Sequence, residues 1–129
     1  MFMNQQRAGK YNIRKVVLDG IKFDSPSESE YYSMLKFIEK NPKSGIKLVE
    51  LQPKVYLSEA RILYKPDFLI EERGKLVYVD VKGIETAVFK IKVRLWKAYG
   101  VAPLRIVKKS RDGFRVTAEY KPTGGENRE

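Results

Sequence analysis

ILYKPDFLI at residues 62–70 and LVYVDVKG at residues 76–83 read as two neighbouring β-strands. Apolar and β-branched side chains fill both, and the intervening Glu71 to Lys75 contains Gly74 and makes a short turn. Each strand carries a carboxylate where an apolar residue belongs. Asp67 interrupts the first directly after Pro66, and Asp80 lies near the end of the second, followed by Lys82 and Gly83. Two-residue alternation puts Asp80 and Lys82 on one face with Val81 on the other. Counting back from a turn at residues 72–74 sets Asp67 within one position of the residue opposite Asp80. The two carboxylates are therefore predicted to meet at the same end of the sheet.

Two carboxylates at that distance repel, and a divalent cation between them removes the repulsion. Hard oxygen ligands select Mg²⁺ or Mn²⁺ over zinc. Lys82 then stands beside the metal, where it could polarise or deprotonate an attacking water or stabilise charge on a phosphoryl oxygen. A third carboxylate is expected from the helix upstream. Glu28 shares a face with Tyr31, Tyr32 and Leu35, whereas Glu30 is rotated from it by about 200°. Capping of the helix would also account for Glu28.

Working outward, Val16 to Leu18 and Ile21 to Phe23 flank an Asp19-Gly20 turn signal and predict a small hairpin. A helix begins near Pro26, with Ser25 as N-cap and Glu28 three residues later. Tyr31, Met34 or Leu35 and Ile38 form its apolar stripe, and Asn41-Pro42 with Gly45 ends it. Lys47 to Leu57 reads as an extended strand interrupted by Pro53. A second helix spans about Thr86 to Tyr99, with Val88, Ile91, Leu95 and Ala98 in register and Gly100 as a natural C′ residue. Strands follow at Val101 to Lys108 and Phe114 to Tyr120, joined at Asp112-Gly113. Helix, three strands, helix, strand implies an α/β domain, one mixed sheet flanked by helices. Residues 1–12 are expected to be a flexible basic arm, 13–120 a single domain and 121–129 a flexible tail.

The whole chain has 129 residues, enough for one core, and neither Cys nor His. Disulfides, thiolate nucleophiles, Ser-His-Asp triads and zinc sites built on Cys or His are excluded. Any chemistry must run on carboxylates, Lys, Arg, hydroxyls and an oxygen-ligated metal. The formal net charge is +10, which suits a polyanionic partner such as DNA or RNA, although an acidic protein or a membrane surface meets the same field. Residues 26–85 carry ten basic and ten acidic side chains, while 86–129 carry eleven basic and four acidic. The carboxylates thus occupy a neutral middle with cations on either side. No apolar run is long enough to cross a bilayer, and the N-terminus has no h-region, so a cytoplasmic location is expected.

Pro66-Asp67, a gap of twelve residues, then Asp80-Val81-Lys82 resembles the PD-(D/E)xK signature of the nuclease superfamily that includes restriction enzymes, junction resolvases and phage exonucleases. Phe23-Asp24-Ser25-Pro26-Ser27-Glu28, with Tyr32 and Leu35, is similar to a phage-encoded family of small proteins related to Holliday junction resolvases. Leu51-Gln52-Pro53 and Lys82-Gly83 leading to Thr86 and Phe89 extend the likeness over residues 10–110. Pro26 departs from that family, which usually has Lys or another polar residue there.

The resemblance implies a restriction-endonuclease-like αβββαβ core and Mg²⁺-dependent cleavage of DNA. In it Asp67, Asp80 and the Val81 carbonyl hold metal, Glu28 completes the site and Lys82 is catalytic. Gln52 has two readings, contact with water or scissile phosphate, or satisfaction of an edge backbone. Thr86, Lys90 and Lys92 are candidates for phosphate contacts, as are Lys10 and Arg14 in the early basic segment. Phe89 and Trp96 are expected in the core or a dimer interface. A homodimer is the expected assembly, because paired sites suit cutting at a DNA branch. Alternatives are a phage exonuclease, a site-specific endonuclease, a catalytically silent nucleic-acid-binding protein and an assembly protein that meets an acidic partner.

Overall fold

The computed structural model describes residues 14–123; the expected arm at 1–12, with Lys10, and the end of the expected tail at 124–129 lie outside them. β1 (Val16–Leu18) and β2 (Ile21–Phe23) form an antiparallel ribbon. Asp19 and Gly20 both have positive φ, 54° and 75°, as a two-residue hairpin turn requires. α1 (Pro26–Glu39) starts where expected: Glu28 N–H donates to Ser25 Oγ at 3.2 Å, and Pro26 opens the first turn. A short 3₁₀ turn, Pro42–Ser44, follows, and Gly45 closes it at φ 72°.

The remaining elements are β3 (Ile46–Leu51), β4 (Val55–Leu57), β5 (Ile62–Tyr64), β6 (Phe68–Glu72), β7 (Lys75–Val81), α2 (Ala87–Tyr99), β8 (Leu104–Ser110) and β9 (Gly113–Tyr120). Two expected strands are each split. Lys47 to Leu57 breaks at Gln52–Lys54, and Ile62 to Ile70 breaks at Lys65–Asp67. Proline offers no N–H to a ladder, so at Pro53 and Pro66 the chain leaves one sheet for another. β4 and β5 pair only with each other, as a second ribbon.

The main sheet has the order β3-β6-β7-β8-β9. Its pairs are antiparallel except β7 with β8, the two strands that α2 connects, so the sheet is mixed. Helices cover opposite faces. Tyr31, Tyr32 and Leu35 of α1 pack on Phe68, Ile70, Val77, Val79 and Val107. Phe89, Val93 and Trp96 of α2 pack on Leu104 and Ile106 and on Val55, Leu57 and Tyr64 of the second ribbon.

The packing stripe of α2 corrects the sequence reading. Val88 and Ile91 are 60% and 56% exposed, while Phe89, Val93 and Trp96 are buried. The helix carries two apolar stripes of similar spacing, and the one with two aromatic rings removes more apolar area from water, so it takes the core. The helix end differs too. Gly100 has φ −66°, not a left-handed value, and donates to Trp96 O at 2.8 Å. Glycine is needed there for close approach, since a Cβ would lie 2.6 Å from Trp96 Nε1. β8 accordingly begins at Leu104, after Trp96 Nε1 has donated to Ala102 O at 2.8 Å. Thr123, within the expected tail, is tied down: its N–H donates to Lys97 O at 2.8 Å.

Candidate active site

The β6–β7 register pairs Phe68 with Val79, so the next position outward sets Asp67 opposite Asp80. The predicted meeting of the two carboxylates is what the backbone builds. Val81 N–H donates to Asp67 Oδ2 at 2.8 Å, which fixes the first carboxylate against the strand carrying the second. Asp80 is 3% exposed. Its Oδ2 accepts from Tyr64 Oη and lies 3.4 Å from Lys82 Nζ. Alternation thus puts Asp80 and Lys82 together, as the strand pattern requires.

Neighbouring elements hold this centre from three sides. Tyr64, the last residue of β5, packs against Trp96 and Phe89 with ring centroids at 5.8 and 6.4 Å. Lys82 Nζ sits 4.3 Å over the Phe89 ring. Lys92 Nζ donates to Leu63 O at 2.9 Å, beside Tyr64. On the β3 side, Gln52 N–H donates to Asp67 O at 2.9 Å, and Gln52 has φ 48°. Asp19, Ser58, Arg61 and Arg73 share a positive φ, and at Gln52 the bond to Asp67 O holds it.

The electrostatics follow from this crowding. Asp67 is pushed far above the usual carboxylate range, first by burial, then by a hydrogen bond with Asp80 and by the charges of Asp80 and Glu28. Glu28 is raised to about 7, first by burial and then by the charges of Asp24 and Asp80, against a hydrogen bond from the Asp24 backbone and the attraction of Lys82. Burial, the Asp80 charge and the hydrogen bond to it raise Tyr64 well above an ordinary phenol, so Tyr64 is a fixed donor. Glu30 instead pairs with Lys109. Of the two helix carboxylates, Glu28 is the one that feels the site.

Asp67 and Glu28, whose proton affinities the charge of Asp80 raises, make with Asp80 a donor set suited to a hard divalent cation, which replaces protons as the balancing charge. They do not form a closed ligand shell. Among the described residues, no group of three or more His, Cys, Asp or Glu side chains is gathered closely enough to hold a metal ion. Asp67 and Asp80 are the acidic centre, and Glu28 acts on it through its field.

The expected phosphate contacts scatter. Thr86 Oγ1 caps α2 by accepting from Phe89 N–H at 3.1 Å. Lys90 is exposed and lies about 160° around α2 from Lys92, so the two do not share a face. Arg14 is exposed next to Lys15, which pairs with Asp24 at 3.3 Å. Tyr64 stands in the motif with no role legible from the sequence. It contacts Asp80 from a strand of a different sheet, and neither spacing nor periodicity signals that.

An α/β protein with a buried Asp80 beside a half-buried Asp67 and a lysine at the ends of adjacent strands is the class that these observations define. A family model described as "Protein of unknown function (DUF1064)" matches residues 8–111, and the chain belongs to that family. A comparison with curated proteins gives no match. Among the described residues, no helix is long and apolar enough to cross a membrane.

Proposed function

We propose that this protein is a divalent-metal-dependent deoxyribonuclease of the PD-(D/E)xK superfamily, with Mg²⁺ as its ion and Mn²⁺ as a substitute. The observation that carries this reading is the juxtaposition of Asp67 and Asp80 by strand register, with Lys82 on the oxygen of Asp80. The family match and the order α1, β3, β6, β7, α2, β8, which follows the αβββαβ pattern, support it.

In this reading Asp67, Asp80 and the Val81 carbonyl hold the ion, and Glu28 holds a second ion or the nucleophilic water. When bound, the cation supplies Lewis-acid polarisation of a phosphoryl oxygen and lowers the pKa of water. Lys82, beside Asp80, stabilises the charge that grows on the phosphoryl oxygens as water attacks phosphorus. The P–O3′ bond breaks in line with the attack, the 3′ oxygen takes up a proton, and a 5′-phosphate remains. Gln52, Thr86, Lys90 and Lys92, with Lys10 and Arg14, are proposed to contact the substrate. A homodimer acting on branched DNA, in a phage or prophage setting within the host cytoplasm, is the preferred subclass.

A second reading, a nucleic-acid-binding protein without catalysis, is favoured by the absence of a closed three-ligand cluster among the described residues. End-labelled linear duplex, single-stranded, flap and four-way-junction DNA, incubated with EDTA, Mg²⁺ or Mn²⁺, separates the two. Metal-dependent cutting by the wild type that the Asp80→Ala variant lacks is the expected result, and paired symmetric nicks at the junction select the resolvase subclass. If no substrate is cut while both proteins shift DNA equally, the nuclease reading fails and the binding protein remains.

A further inference from the structure

The cation excess of residues 86–129 has two centres, α2 and the β8–β9 hairpin. The hairpin holds Lys108, Lys109, Arg111 and Arg115 within eight residues, and the sequence reading gave none of them a role. Register pairs Lys109 with Phe114 and Lys108 with Arg115. Lys109 faces α1, where it pairs with Glu30, and Phe114 stacks edge-on against Tyr31. Alternation therefore turns Lys108 and Arg115 to the opposite face, the one carrying Leu104 and Ile106.

That face is also the face of the candidate active site. Asp80 pairs with Ile106 and Val81 with Val107, and Lys82 N–H donates to Val107 O at 2.9 Å. One step further along the same register sets Lys82 beside Lys108. Lys82, Lys108 and Arg115 consequently form a row across β7, β8 and β9 at the strand ends, about 10 Å long at ordinary strand spacing.

The row has no account in the fold itself. Lys82 has Asp80, but Lys108 and Arg115 are exposed and have no acidic partner among the described residues. Like charges directly opposite each other weaken an antiparallel pair. The same strand shows the contrast: Arg105 is held by Glu72 at 2.7 Å and by Glu119 at 3.2 Å. Unpaired cations of both kinds, a mobile ammonium and a planar guanidinium, continuous with a site built for a phosphodiester, match a run of phosphates.

We propose that Lys108 and Arg115 form a track for the DNA backbone, holding phosphates next to the one placed at Asp67, Asp80 and Lys82. This rests on the nuclease reading above and extends its substrate contacts to a hairpin outside the motif.

The test is equilibrium binding of fluorescent duplex DNA in EDTA, where nothing is cut, over a salt series. It compares wild type, Lys108→Gln, Arg115→Gln, the double variant and a Lys43→Gln control. Each single variant should raise Kd severalfold, and the double should flatten the slope of log K against log salt by about 1.8, or 0.9 per lost phosphate contact. Lys43→Gln should match wild type. The denaturation midpoint should stay or rise in the double variant, since a like-charge pair is removed, so weaker binding cannot be ascribed to unfolding. An unchanged slope in the double variant, with wild-type cutting in Mg²⁺ intact, overturns the track and leaves the nuclease. Tighter binding to duplex RNA than to DNA through the same residues overturns the DNA assignment. A wild type that neither binds nor cuts DNA overturns both readings.

Discussion

Tyr64 is the residue on which the geometry of Asp80 turns. A carboxylate 3% exposed needs donors, and Asp80 Oδ2 has Tyr64 Oη and the Lys82 ammonium. Tyr64 cannot wander, because Trp96 and Phe89 flank its ring. Tyr64→Phe keeps that packing and deletes one donor. We expect it to lower stability by about 1–3 kcal/mol, read from a urea transition, and to weaken Mn²⁺ binding by roughly 10–100-fold, the usual effect of losing a ligand's supporting hydrogen bond. Titration calorimetry with Mn²⁺ alone checks the second part. Unchanged Mn²⁺ affinity would reduce Tyr64 to core packing. At this scale the pairing of Asp67 with Asp80 was legible, because a tight turn determines the register of both strands around it. Tyr64 was not, because its partner is reached across two sheets.

Among elements, α2 and the two proline breaks show where sequence pattern stops deciding. Periodicity marks α2 as a helix, but two stripes of equal spacing compete for the sheet. The choice falls to ring area and to the seat for Trp96, fully buried with its Nε1 on Ala102 O. That seat extends to the helix end, where Gly100 approaches Trp96. Gly100→Ala would place a methyl 2.6 Å from Trp96 Nε1, too close without displacing a ring that has nowhere to go. The variant should lose about 1–3 kcal/mol, as overpacked cores do, with a lower urea midpoint and an unchanged m-value. A midpoint equal to wild type would mean that the 100–103 loop yields freely. Pro53 is legible as an interruption, Pro66 is not, and neither reads as a transfer between sheets. That the chain after Pro53 and before Pro66 forms a ribbon of its own depends on the α2 surface it covers, a contact remote in sequence.

For the whole molecule, the placing of carboxylates sets an uncommon dependence of stability on pH. Glu72 is held below its ordinary range by a hydrogen bond from Arg105, and Glu39 by one from Lys36 and then the Leu48 N–H. Their contribution is present above the unfolded pKa and is lost as pH falls through the folded value, so it fails only in strong acid. Glu28 and Asp67 have the opposite sign. The folded state binds their protons more tightly than the unfolded chain does, so their contribution is full below the unfolded pKa and drains as pH rises through the folded pKa. For Glu28 that window runs from 4.5 to about 7. Metal-free protein should therefore be most stable near pH 5 and lose stability steadily towards pH 8. Under the proposed metal-dependent reading, a divalent cation at 100 times its Kd should reverse the trend by taking the place of the protons and add about 2.7 kcal/mol. That gain should grow with pH, because protons compete for the same oxygens. Asp67→Asn, which keeps an acceptor for Val81 N–H and a donor for Asp80 without the charge, should flatten the metal-free profile and abolish the cation's effect. Urea midpoints from pH 5 to pH 8, with EDTA or saturating Mg²⁺, measure all of this. A metal-free midpoint that rises across that range would show that the Asp67–Asp80 centre is not a store of repulsion awaiting a cation, and the metal site would lose its physical basis.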